Sequence, residues 1–212
     1  MRIFLFLLLL GAIALLSRPG LISRHPVTGH ILGKIQNLIL QRALALLLML
    51  PALITQTANF PSWVLFTKSS VWSIGIISIL VPFLAFLLTR ADKSNTQRLL
   101  YAGLQDRRWR WIAYLLITSM YMVSYEFLLR GTLLHSLTTW LEPVFAISIN
   151  TLIYSVMHIV KNKREALLSI PLGILLCWLT LYTQSVWPAA FFHSIMALSF
   201  EFFYSRKRNH VD

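Results

Sequence analysis

Four ionisable side chains stand out as candidates for chemistry in the strongly apolar runs of the second half of this chain: Glu126, Arg130, His158 and His193. An ionisable group in the middle of a membrane span costs about 2.5–3.5 kcal/mol on insertion scales, so each needs a partner, a cavity or a function. Glu126 and Arg130 are four residues apart with the glutamate first, which predicts an ion pair on one helix face. Such a pair could neutralise itself, or hold two helices together.

The two histidines bring further polar groups to the same part of the chain. His158 follows Tyr154 by four residues and Asn150 by eight, so an imidazole, a phenol and an amide share one helix face. Taken singly, a histidine in a span most often serves as an interhelical hydrogen-bond partner. Together with Glu126, however, the histidines give three predicted spans one group each that is capable of proton transfer or metal binding. This pattern predicts a shared site.

Two chemistries remain open for one carboxylate and two imidazoles. In the first, Glu126 is the general base that activates a water, and Arg130 fixes the carboxylate. In the second, Glu126, His158 and His193 are the ligands of a zinc ion that keeps one position open for water. The zinc mechanism leaves no evident protein side chain to act as the base, and the sequence lacks the local H-E-x-x-H spacing of many zinc proteases. We therefore expect no cofactor and keep zinc as the alternative. The single cysteine, Cys177, excludes a disulfide or a cysteine-based zinc site within the chain.

The composition places these residues in a membrane protein. The chain of 212 residues is 57% hydrophobic and only 12% charged, with a mean hydropathy of +0.69, whereas soluble domains carry about 25% charged residues. The pattern predicts an all-α, multi-pass helical bundle in the bilayer. The net charge of +12 comes mainly from basic residues in short segments between apolar runs. Basic residues at such positions set the orientation of the spans and bind anionic lipid, so they do not indicate binding to nucleic acid.

Seven stretches reach about the length of a span: 3–17, 38–55, 71–89, 111–130 with a possible extension to 139, 143–160, 165–183 and 186–204. The first resembles a signal peptide but lacks a clear cleavage site, which favours an uncleaved helix. Of the 19 Lys and Arg residues, 16 lie on one side of this arrangement, with Arg42 counted among them, two lie on the other, and Arg130 is inside a span. The bias predicts an outside N-terminus and a cytoplasmic C-terminus. It also divides the chain into N-terminal spans with a basic loop (1–103), a four-span core (104–205) and a basic cytoplasmic tail (206–212).

The polar residues in the core carry a resemblance to a known family. The letters YEFLLR at 125–130, YSVMH at 154–158 and HSIMA at 193–197 resemble the three motifs of the CPBP family, E-E-x-x-x-R, F-x-x-x-H and H-x-x-x-N. These are CAAX prenyl proteases and bacteriocin-processing, Abi-like intramembrane proteases. The resemblance implies catalytic roles for Glu126, Arg130, His158 and His193 in a cleft open to the cytoplasmic side. The implied activity is hydrolysis by a glutamate-activated water of a membrane-associated, in some cases lipidated, peptide or protein. We expect an integral protein of a prokaryotic cytoplasmic (inner) membrane.

Two departures from the motifs define the alternatives. Tyr125 replaces the first glutamate and Ala197 replaces the asparagine, so the chain could be a variant enzyme in which Tyr125, Tyr154 or Asn150 supports the site. It could also be a catalytically impaired binding or scaffold protein, or, third, a proton-coupled transporter.

The depth of the residues sets a further condition. His158 lies near the cytoplasmic end of its span and His193 near the outer start, so they meet only if the helices are tilted or unequal. A fourth span that runs on to Trp140 would meet this condition.

Overall fold

The computed structural model describes residue 42 and the ranges 65–91, 108–159 and 163–206, and these ranges are helical apart from short connections. The all-α prediction is therefore confirmed for the part of the chain that is described. The elements are α1 Lys68–Ala91, α2 Arg108–Glu126, a π-helical segment Phe127–Leu134, α3 His135–Thr138, α4 Pro143–Ile159, α5 Lys163–Thr183 and α6 Trp187–Arg206. The predicted spans 3–17 and 38–55 lie outside the described residues, except for Arg42.

Within the described ranges, three helical stretches are long and apolar enough to cross a bilayer: Lys68–Leu87, Trp111–Thr138 and Glu165–Thr183. Helix α4 is apolar but shorter, since its 17 residues extend about 25 Å at 1.5 Å per residue. Helix α6 coincides with the seventh predicted stretch. The length and composition of these helices are those of an integral membrane protein. The count of seven spans and the orientation of the termini stay predictions.

The fourth predicted span is interrupted by a π-helical segment. Helix α2 passes directly into Phe127–Leu134 and then into α3, so the helical path runs from Arg108 to Thr138. This agrees with the longer version of the span, but the regular α-helix assumed through Arg130 is wrong from Phe127 onward. A π-helix is rare, and it frequently occurs at functional sites. Here a neighbouring helix helps to hold it: the Asn150 side-chain amide donates to the Leu129 carbonyl oxygen at 2.7 Å.

Small and polar residues bring α4 and α5 close together. A Cβ added at Gly173 would lie 3.0 Å from Thr151 Cγ2 and 3.1 Å from Tyr154 Cδ1, so a larger residue there would have to push these side chains aside. The Ser155 hydroxyl donates across the same contact to the Ala166 carbonyl oxygen at 2.8 Å. Helices in membranes associate through such close contacts of small residues and through interhelical hydrogen bonds, because the hydrophobic effect does not favour helix–helix contact over contact with lipid.

The other helices pack around this pair and leave a lipid-facing surface. Helix α1 lies along α6, α2 also packs on α6, and the π-helical segment contacts α4 and α5. Large apolar side chains of α1 point away from the bundle, for example Trp72, Ile79 and Phe83. Exposed aliphatic and aromatic surface of this extent is expected where the partner is hydrocarbon.

Candidate active site

Glu126, the last residue of α2, is completely buried and is held by two other side chains. Its Oε1 accepts a hydrogen bond from His193 Nδ1 at 2.6 Å and one from Arg130 Nη1 at 3.1 Å. Its Oε2 lies 3.0 Å from the same Arg130 nitrogen but has no hydrogen-bond partner among the residues that the structure describes. Oε1 is therefore fixed by two hydrogen-bond donors, whereas Oε2 has only the ionic contact with Arg130 in this part of the chain.

Arg130 lies on the π-helical segment and is also completely buried. Besides its ion pair with Glu126, its guanidinium lies over the ring of Tyr154, 4.5 Å from the centroid. A cation on an aromatic face is stabilised by the electrons of the ring, the more so where water is excluded. The predicted ion pair thus forms, and the arginine also joins α2 to α4.

His193 is on the second turn of α6, and 7% of its surface is exposed. The 2.6 Å contact with Glu126 is short for a nitrogen donor, as expected when the acceptor carries charge. The imidazole meets the rings of Tyr125 and Tyr154 edge-on, with centroid distances of 6.0 and 6.1 Å. Side chains of two neighbouring helices, α2 and α4, therefore fix its orientation.

His158, in the last turn of α4, reaches the same cluster through Tyr154. Its Nδ1 donates to the Tyr154 carbonyl oxygen at 2.9 Å, and because a carbonyl only accepts, this nitrogen carries a hydrogen. The two rings are 4.5 Å apart, centroid to centroid. Since both histidines contact Tyr154, the unequal depths inferred from the sequence do not prevent the predicted residues from meeting.

The three residues expected to support the site have different partners. The Tyr125 hydroxyl donates to Met157 Sδ at 3.4 Å, while Asn150 bonds the π-helical backbone and accepts from Cys177 Sγ at 3.2 Å. Asn150 therefore positions the segment that carries Arg130. Tyr154 lies at the centre of the cluster, in contact with Arg130 and both histidines.

The zinc ligands considered above are not assembled as a metal site in the described ranges. Nowhere in these ranges do three His, Cys, Asp or Glu side chains form a group that could hold a metal ion. Glu126 and His193 instead bond directly to each other.

Sequence reasoning missed a second buried carboxylate, Glu201 of α6. Its Oε1 accepts from the Tyr114 hydroxyl at 2.7 Å and pairs with Arg42 at 3.1 Å. The Arg42 guanidinium also bonds the Thr118 hydroxyl and lies 4.6 Å from the centroid of the Tyr114 ring. Arg42, counted above with the loop residues, is thus helical and bound to the core. The signal was available, since Glu201 lies in the same apolar run as His193.

Comparison with known proteins found a family match over part of the chain. Residues 107–199 match the model of a family described as type II CAAX prenyl endopeptidase Rce1-like. The matched segment contains Glu126, Arg130, Tyr154, His158 and His193. No curated protein and no solved structure matched the chain significantly.

Proposed function

We propose that this chain is an intramembrane endopeptidase that uses Glu126 to activate a water, since residues 107–199 match the model of the Rce1-like family of type II CAAX prenyl endopeptidases. The family match supports a CAAX-type membrane protease at the coarse level. The proposal adds the catalytic group, the roles of its neighbours and the absence of a required metal.

The observation that carries the proposal is the state of the Glu126 carboxylate. It is buried, it is held through Oε1 by His193 and Arg130, and its Oε2 is without an aligned hydrogen bond. A general base needs this combination of fixed orientation and an open lone pair. A water bound at Oε2 would give its proton to Glu126 as its oxygen attacks the peptide carbonyl carbon. Arg130 stabilises the carboxylate as an anion, and Glu126 then returns the proton to the leaving amine.

The proposed substrate is a membrane-associated peptide or protein, with or without a lipid, since the site lies between apolar helices. Histidines contribute at two positions. His193 orients the base through its hydrogen bond, and His158 packs against the Tyr154 ring beside it. The proposed location is a prokaryotic cytoplasmic membrane.

Glu126→Gln is the direct test, because it preserves shape and burial but removes the base. Cells producing wild type or Glu126→Gln are compared by proteomics of protein termini. We expect a precursor that keeps its terminal segment in the variant only, while the variant accumulates normally. The matched control is Glu142→Gln, the same change at an exposed position between α3 and α4, which should process like wild type. Unchanged processing in Glu126→Gln would refute the proposed peptidase activity.

Metal analysis of the purified protein separates the two chemistries. The glutamate mechanism predicts no stoichiometric zinc and no loss of activity with a chelator. Stoichiometric zinc that disappears in His193→Ala would instead favour the His₂Glu alternative.

A second candidate function is binding without catalysis. It is favoured by Ala197, whose methyl group cannot donate a hydrogen bond, and by Tyr125, which offers no carboxylate. A captured membrane segment that is retained by Glu126→Gln as well as by wild type would support it.

A further inference from the structure

The hydroxyl of Tyr154 is a buried donor without a partner. The residue is completely buried, and among the described residues no group accepts from or donates to its Oη. Leaving a buried polar group unsatisfied costs about 1–3 kcal/mol. In a native site, such a group commonly marks the position of a ligand or water.

Tyr154 shares its neighbours with the proposed catalytic base, Glu126. The two side chains that hold Glu126 also contact the Tyr154 ring: the Arg130 guanidinium lies on its face at 4.5 Å, and the His193 ring meets it edge-on at 6.1 Å. His158 contacts the same ring at 4.5 Å. A cation over the ring withdraws electron density from the phenol, and this strengthens its O–H as a donor.

The ring cannot easily turn to satisfy the hydroxyl elsewhere. Gly173 of α5 lies directly against it, since even one added carbon there would lie 3.1 Å from Cδ1. Tyr125 packs on it at a centroid distance of 6.1 Å. The hydroxyl is therefore preorganised, as is required of a group that stabilises charge in a transition state.

We propose that the Tyr154 hydroxyl is a catalytic donor that stabilises the oxyanion formed when the peptide bond is attacked. The inference rests on the proposed hydrolase function. It accounts for Ala197, which packs against the same cluster as Tyr154 but has no polar side-chain atom, because Tyr154 supplies the donor from α4.

The chemistry balances with the groups present. The water oxygen bonds to the carbonyl carbon as Glu126 takes a water proton, and the carbonyl π electrons move to oxygen. The Tyr154 O–H donates to that oxygen without losing its proton. When the intermediate collapses, the carbonyl re-forms, the C–N bond breaks, and the amine receives the proton from Glu126.

Tyr154→Phe tests the proposal by removing one oxygen atom. The assay follows the precursor found in the Glu126→Gln comparison: its rate of processing is measured in cells, and a synthetic peptide spanning the cleavage junction is used with purified protein. We expect kcat to fall about 100- to 1000-fold, the cost of one oxyanion donor, with KM little changed. The melting temperature should not fall, because the hydroxyl that is removed has no partner. Tyr182→Phe, at an exposed position of α5, is the control and should be unaffected.

Three results would overturn the proposal. Processing by Tyr154→Phe within tenfold of wild type, with Glu126→Gln inactive, refutes the role of Tyr154 alone and leaves the hydrolase in place. A loss of activity in Tyr154→Phe that is accompanied by a lower melting temperature indicates a structural role instead. Normal processing by Glu126→Gln refutes the proposed hydrolase activity, and with it the role of Tyr154 as an oxyanion donor.

Discussion

Gly173 offers the sharpest test of how the site is packed, through the substitution Gly173→Ala. The added methyl group would lie 3.0 Å from Thr151 Cγ2 and 3.1 Å from Tyr154 Cδ1. Thr151 is β-branched and therefore stiff on a helix, and the Tyr154 ring is held by Arg130 and His158. Neither neighbour can move freely, so overpacking should cost about 1–3 kcal/mol. Alanine regains about 1 kcal/mol of helix propensity, which leaves a net loss of up to about 2 kcal/mol.

Gly75→Ala is the matched control, because a Cβ added at Gly75 in the middle of α1 meets nothing within 4 Å. Both variants gain the same helix propensity, so the difference in their free energies of unfolding isolates the overpacking at Gly173. The measurement is equilibrium unfolding of purified protein in mixed micelles, together with the rate of precursor processing. We expect Gly75→Ala to be as stable as wild type or more so, and Gly173→Ala to lose both stability and activity as Tyr154 is displaced. Equal stabilities would refute the close contact of α4 with α5.

Two further substitutions test the buried polar groups around Glu126. Arg130→Met should lower the free energy of unfolding by about 3–5 kcal/mol, because it leaves a buried carboxylate without its cation. Arg90→Met, at an exposed position, should change it by less than about 1 kcal/mol; similar losses in both would argue against the buried pair. Asn150→Leu leaves the Leu129 carbonyl oxygen without its side-chain donor, so unfolding should become easier by about 1–3 kcal/mol and processing should slow. Wild-type rates in Asn150→Leu would show that the π-helical segment holds its shape without this bond.

The parts of the site that could be predicted from the sequence are those that depend on local spacing. Glu126 and Arg130 are four residues apart, and their pairing required only one helix face. The high cost of His158 and His193 in an apolar run indicated a shared site. Helices from residue 68 onward followed from long apolar runs and the basic segments between them.

The remaining features depend on contacts between distant parts of the chain. The π-helical segment is braced by Asn150, 21 residues from the carbonyl that it binds, and no local pattern in 127–134 indicates that partner. The bond between His193 and Glu126 joins positions 67 residues apart. The open hydroxyl of Tyr154 depends on the packing of three helices around one ring, so neither its burial nor its lack of a partner could be read from the motif.

The contact between Arg42 and Glu201 has a consequence for how this protein is assembled. The two residues are 159 positions apart, and the segment that matches the family ends at 199, before Glu201. A chain shortened to that segment together with α6 would leave the Glu201 carboxylate with the Tyr114 hydroxyl but no cation, at a cost of about 3–5 kcal/mol. The stability of α6, the helix that carries His193, is therefore coupled to a residue that lies well before the segment that matches the family.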